Sequence, residues 1–221
     1  MDKKHEIIRG SLLFSGLPAE QLEKLASIAD VRNFRRQEVI FFEHDEATGF
    51  YMVMEGKVKI FKMSLEGREQ ILHIFGPGEP FGEVPVFHGQ PFPANAVALT
   101  KATLLFFPRS EFVNLVSATP SLALNMLAML SIRLRRFASQ IESLSLKEVP
   151  GRLASYLLYL AEEQDNTSTV TLDIPKGQLA SLLGTSPETL SRIFARMSEQ
   201  GIIAVQGKTI DILDYEQLAA A

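Results

Sequence analysis

The sequence predicts an α+β protein in which an N-terminal β-roll leads through one long helix to a C-terminal winged helix-turn-helix. Three observations carry this: short β-rich runs between Val31 and Phe107, an a/d heptad from Leu127 to Leu144, and two short helical patterns joined at Leu183-Gly184-Thr185-Ser186. The boundaries they set are 1–117 for the roll, 118–145 for the long helix and 146–221 for the winged domain.

Residues Leu12 to Ala29 place Leu17, Leu22, Leu25 and Ile28 at helical spacing after a Gly16–Pro18 turn, which predicts a short amphipathic helix. The β-rich runs are Val39 to Phe42, Phe50 to Met54, Val58 to Met63, Gln70 to Phe75 and Ala94 to Phe107. Glu55-Gly56 and Glu66-Gly67 read as hairpin turns between them. Leu127, Leu130, Leu134, Phe137, Ile141 and Leu144 then recur at alternating spacings of three and four, the seam of a two-stranded coil, with Thr119-Pro120 as its N-terminal signal. The alternative is that a single helix packs this stripe on the roll. Pro150 cannot continue a helix, so the hinge is expected within Ser145 to Pro150, followed by a helix from Arg152 to Glu163 and a polar loop from Gln164 to Thr169.

In the C-terminal segment a small Ala180 suits a close helix crossing, Gly184 suits a tight turn, and Leu179, Leu183, Leu190 and Ile193 supply a small core. Glu188, Ser191, Arg192 and Ala195 share the opposite face of the second helix. Arginine donates a bidentate pair to guanine and a carboxylate accepts from cytosine, so Glu188 and Arg192 suit a G·C pair, while Ser191 suits either base type. A hairpin from Ile202 to Leu213 with Gln206-Gly207-Lys208 at its turn reads as the wing. Lys176, Ser186, Thr189, Arg196 and Lys208 are phosphate candidates. The bland alternative is a solvated helix with Glu188 and Arg192 paired four residues apart. Whole-chain charge gives no help, at net −4, and from Leu146 onward six Lys/Arg face ten Asp/Glu, so affinity for double-stranded DNA must come from local clustering doubled by dimerisation.

Absence of cysteine excludes disulfides, cysteine zinc sites and thiolate-held iron–sulfur clusters. Apolar runs such as Thr103 to Phe107 are too short for a bilayer and Met1 to His5 leads into no signal-peptide core, so a cytoplasmic, membrane-free protein is expected. No Walker loop, HExxH or GxSxG occurs, so no enzyme is expected.

The stretch Thr185 to Ile193, with Gly201-Ile202-Ile203 and Gly207-Lys208-Thr209 after it, resembles the DNA-binding domain of the CRP/FNR superfamily, and the likeness covers nearly the whole chain. Gly76-Pro77-Gly78-Glu79-Pro80-Phe81-Gly82-Glu83 is similar to that family's phosphate-binding cassette in a cyclic-nucleotide-binding-like roll. Ile141 to Lys147 and Pro187-Glu188-Thr189 look most like the dissimilatory nitrate respiration regulators, a branch linked with nitric oxide sensing through haem. The resemblance assigns base reading to Glu188, Ser191 and Arg192, implies an FNR-like half-site close to TTGAT, and implies contact with RNA polymerase, with activation the expected outcome.

The effector pocket implied by the resemblance comprises Gly82, Glu83, Phe92, Pro93, Ala94, Leu134 and Phe137. The Arg-Ser pair that binds a cyclic nucleotide's phosphate corresponds to Phe92 and Pro93, and the polar pair on the long helix to Phe137 and Ala138. Neither Phe92 nor Pro93 neutralises an anion, so cAMP is disfavoured. Phe92, Phe137 and Leu134 suggest an apolar cavity for haem or another hydrophobic ligand, with His73, His88 or Met126 as candidate iron ligands. A cyclic nucleotide held only by Glu83 and backbone amides, and an effector-binding module without specific DNA binding, are the competing readings.

Overall fold

The structure is a computed structural model describing residues 3–220, save the side chains of Phe87 and His88. Two compact units divide within one helix, Met1–Arg135 and Arg136–Ala221.

The first unit opens with α1 (Lys3–Gly10), a 3-10 turn (Leu12–Phe14) and α2 (Ala19–Ile28). The amphipathic helix expected after the Gly16–Pro18 turn is α2, and the segment before that turn forms the 3-10 turn, with Gly16 at φ +75° between them. Two four-stranded antiparallel sheets follow. One has the order β1 (Asp30–Phe34), β8 (Ala102–Pro108), β3 (Gly49–Glu55), β6 (Pro80–Phe81). The other has the order β2 (Val39–Phe41), β7 (Asn95–Ala98), β4 (Val58–Met63), β5 (Glu69–Phe75).

Strands β3 and β8 read as unbroken apolar runs because both of their faces are covered. Tyr51, Val53, Leu104 and Phe106 point into the roll with Phe41, Phe75, Phe81 and Phe92. Their alternates Phe50, Met52, Leu105 and Phe107 point outward onto Ile8, Phe14, Leu25 and Phe112 of the helical layer.

Two expected features differ. Ala94 to Phe107 is two strands in different sheets, β7 and β8. Glu66-Gly67 closes the β4–β5 hairpin, but Glu55-Gly56 is no hairpin turn, since β3 and β4 belong to different sheets. Gly56 is instead the corner between sheets: its φ is +85° and a Cβ there would lie 2.3 Å from the Lys101 carbonyl oxygen.

After α3 (Val84–His88) and α4 (Arg109–Ala118), α5 (Pro120–Leu146) runs for 27 residues. It packs on the first unit through Leu122, Met126 and Met129, a stripe offset from the heptad seam but joined by Leu130 of that seam. Leu127 (61% exposed), Leu134 (70%) and Ile141 (65%) stay open, Phe137 is exposed, and Leu130 and Leu144 are half-buried. The alternative in which the seam itself covers the first unit thus holds for Leu130 alone of the residues Leu127, Leu130 and Leu134, since Leu127 and Leu134 stay exposed.

Within the second unit α5 ends at Leu146, and Pro150 sits in the first turn of α6 (Val149–Glu163), opening that helix rather than following the break. Then come β9 (Thr169–Thr171), α7 (Lys176–Leu182), α8 (Pro187–Glu199), the hairpin β10 (Ile203–Gln206) and β11 (Thr209–Ile212), and α9 (Tyr215–Ala219). Strand β9, expected as part of a loop, pairs with β11 and makes the wing three-stranded. No single helix among the described residues is long and apolar enough to cross a membrane.

Gly56→Ala should destabilise the protein by about 2–4 kcal/mol, combining a left-handed backbone penalty with a steric one. Urea unfolding followed by far-UV circular dichroism measures it, and Gly67→Ala, where nothing lies within 4 Å of the added Cβ, is the milder control.

Candidate DNA-reading site and effector roll

Helix α7 ends at Leu183, and Gly184 at φ +64° turns the chain so that the Thr185 amide donates to Ala180 O (2.9 Å). Ser186 caps α8: its Oγ accepts from the Thr189 amide at 3.2 Å and donates to Thr189 Oγ1 at 2.9 Å. Leu179, Ala180, Leu190, Ile193, Phe194 and Met197 are buried, which leaves one polar face of α8 outward. On that face Glu188, Ser191, Arg192, Ala195 and Arg196 are exposed.

Among the described residues no ion pair joins Glu188 to Arg192, and both side chains are exposed. Ser191 Oγ donates to Pro187 O at 2.8 Å. Lys176 holds its ammonium 4.9 Å from the Phe194 ring centroid, bracing α7 on α8. Lys208 and Gly207 form the two-residue turn between β10 and β11, and the Leu172 amide donates to Lys208 O at 2.7 Å.

In the first unit the cassette Gly76–Glu83 turns twice through left-handed glycines, Gly78 (φ +84°) and Gly82 (φ +73°). Glu83 is 2% exposed, and its carboxylate is bound by Arg133 of α5, whose second nitrogen donates to Pro80 O. The same guanidinium lies 5.1 Å from the Phe75 ring centroid. Glu79 accepts from the Gly76 amide at 2.7 Å and has the His73 imidazole 3.8 Å away. Burial opposes ionisation of Glu79, but the imidazole, the amide and the charge of Arg133 outweigh it and hold the carboxyl below its ordinary 4.5.

Phe92 stacks on Phe41 with centroids 3.7 Å apart and planes 7° from parallel, and a Cβ on Gly82 would meet both rings at 3.1 and 3.4 Å. The expected cavity between Phe92 and Leu134 is therefore not formed in the first unit, because Phe92 is spent on Phe41 while Leu134 stays on the open face of α5. Ala94 is buried, and Pro93 is exposed with its carbonyl receiving Lys62 Nζ at 2.9 Å.

The candidate iron ligands are not brought together. Met126 is packed among Leu122, Met129 and Phe112 in the helical layer, whereas His73 lies edge-on to Phe75, 4.5 Å between centroids, beside Glu79. The two candidate ligands sit in different packing environments, and the side chain of His88 falls outside the described residues.

Sequence reading missed Arg133, Arg152 and the buried Lys59, which pairs with Glu69 and holds its ammonium 4.4 Å from the Phe61 centroid. A signal for Arg133 was present: it lies four residues after Met129, so it continues the buried stripe of α5 and requires a buried counter-charge.

A β-roll, a long helix and a winged helix-turn-helix with an open reading face define a DNA-binding transcription regulator. The cyclic nucleotide-binding domain family matches residues 31–119, and the Crp-like helix-turn-helix domain family matches residues 151–221. The chain is 30% identical over 218 residues to the CRP-like cAMP-activated global transcriptional regulator of Mycobacterium tuberculosis, covering 97% of each chain. It is 33% identical over 205 residues to the cyclic AMP receptor protein of Thermus thermophilus, covering 93% of this chain and 94% of that one. It also superposes on the crystal structure of DNR from Pseudomonas aeruginosa with a TM-score of 0.51 and 33% identity, covering 97% and 96% of the two chains. The chain belongs to the CRP/FNR family of transcription regulators, a non-enzyme family.

Arg133→Met should destabilise the protein by about 3–5 kcal/mol by leaving the buried Glu83 carboxylate unpaired. Adding Glu83→Gln should recover a large part of that loss, and a double-mutant cycle in urea checks both.

Proposed function

We propose that this regulator binds a palindromic, FNR-like operator as a homodimer joined along Leu127, Leu130, Leu134, Phe137, Ile141 and Leu144. The observation that carries the reading is the exposed α8 face, where Glu188, Ser191 and Arg192 stand together beside a capped helix start with neither charge drawn into an internal pair. Exposed leucines and isoleucine along α5 support the dimer, since an open apolar stripe of that length is costly in water. Two-fold pairing would present the recognition helices about one DNA turn, roughly 34 Å, apart. Lys176, Ser186, Thr189, Arg196 and Lys208 would contact phosphate. Contact with RNA polymerase and transcription activation in the cytoplasm follow from the family resemblance.

The roll would respond to an effector other than a cyclic nucleotide. Phe92 and Pro93 supply no cation, and the one arginine beside Glu83 is already bound to it. A small organic ligand replaces haem as the leading class, because the candidate iron ligands are not together. The cyclic-nucleotide reading keeps one specific support: relatives at 30% and 33% identity are named for cAMP. Calorimetry with cAMP and cGMP decides between them, and micromolar binding that raised operator affinity would overturn our reading.

Anisotropy titrations against TTGAT-type palindromes and random duplexes test the DNA assignment. Arg192→Ala should cost about 1–3 kcal/mol on the palindrome and relax discrimination at its base pair. Lys208→Ala should weaken all duplexes alike and lower the salt slope by about one.

Leu134→Glu with Phe137→Glu should give monomers by light scattering and abolish palindrome binding. A variant that stayed dimeric on the operator would show that the seam lies elsewhere.

A further inference from the structure

Arg152, in the first turn of α6, donates from three nitrogens to three backbone carbonyls. Nε reaches Lys147 O at 2.9 Å, Nη2 reaches Leu144 O at 3.1 Å, and Nη1 reaches Leu183 O at 2.9 Å. The first two acceptors belong to the end of α5, where the last carbonyls of a helix have no partner along the chain. The third belongs to the residue that ends α7, immediately before the turn that leads into the reading helix. One cation thus serves the negative ends of two helices at once.

The neighbouring Lys147 is occupied elsewhere, its ammonium donating to Ser155 Oγ at 2.7 Å. From Leu183 onward, the path to the reading face is short and rigid: the Gly184 turn, the Ser186 cap, then Glu188 in the first turn of α8.

We propose that Arg152 is a positioning residue for DNA reading, a clamp that fixes the start of α8 to the end of α5, so that any rearrangement of the α5 terminus is delivered to the reading helix. The three carbonyls diverge from one another, and a planar guanidinium with five donors spans them where a lysine ammonium on a flexible stem does not. The charge is secondary to the geometry. This deepens the operator-reading proposal, and it makes a statement about the free protein that does not depend on which operator is bound.

The test compares Arg152→Lys and Arg152→Gln with the unsubstituted full-length protein by amide hydrogen exchange and by duplex binding. In both variants the amides of Gly184, Thr185 and Thr189 and that of Lys147, which donates to Ser143 O, should exchange at least tenfold faster. The wing amides of Leu172 and Ile212 should keep their rates, which a general loss of stability would not allow. Affinity for the best duplex should fall about tenfold in the lysine variant although its charge is retained. Wild-type turn protection in the lysine variant would overturn the clamp, leaving a helix-end charge effect. Uniformly faster exchange through the wing would overturn it as well, leaving a merely structural arginine. Should the glutamine variant fail to fold, the lysine variant decides alone. If the parent protein prefers no duplex, the operator reading fails while the exchange pattern still judges the clamp.

Discussion

A helix returns to the same side every three to four residues, and α5 depends on running two apolar stripes on that arithmetic that meet at Leu130 without merging along their length. Leu122, Met126, Met129 and then Arg133 face the first unit, while Leu127, Leu134 and Ile141 face out. If the stripes merged, the helix would be apolar all round and would have no way to choose between packing on its own chain and packing on a second one. Arg133 marks the end of the inward stripe. Its charge is tolerable only because the Glu83 carboxylate, the Pro80 carbonyl and the face of Phe75 receive it together.

The same pairing changes what the roll offers a ligand. A carboxylate buried at the end of a glycine-rich cassette looks from the sequence like a hand held out to an effector. In the folded chain it is already held by the long helix. Phe92 repeats the pattern, since an apolar residue in place of an anion-binding one reads as the wall of a cavity, yet it stacks on Phe41 and fills the space beside Gly82. Both side chains satisfy themselves internally, so an incoming ligand must compete with contacts that the protein already makes.

How much was legible in the sequence followed from how local each signal was. The helix-turn-helix, the long helix α5 and the wing turn were readable because each is set within a few residues by helical spacing, a left-handed glycine or a two-residue turn. Strand β9 was not, for three residues beside a polar loop acquire strand geometry only by pairing with β11. Gly56 was misread because a glycine after a glutamate serves a hairpin and a corner between sheets equally well, and what separates them is the Lys101 carbonyl forty-five positions away. The stacking of Phe92 was not legible for the same reason: Phe41 and Phe92 are far apart in sequence and meet because β2 pairs with β7, the strand into which Phe92 leads. Met126 fell into the helical layer because its stripe, not its thioether, decides where it goes.

Strand β9 also alters the character of the wing. A two-stranded hairpin is marginal in water, and a lysine at its tip samples many orientations before it meets a partner. Here β11 is the central strand of three, and the backbone of Lys208 is tied through its carbonyl to Leu172. The tip backbone is ordered before any encounter, so the entropy of fixing it has been spent during folding and is not subtracted again on binding. Three residues, of which Val170 is fully buried, therefore set the order of the tip in advance.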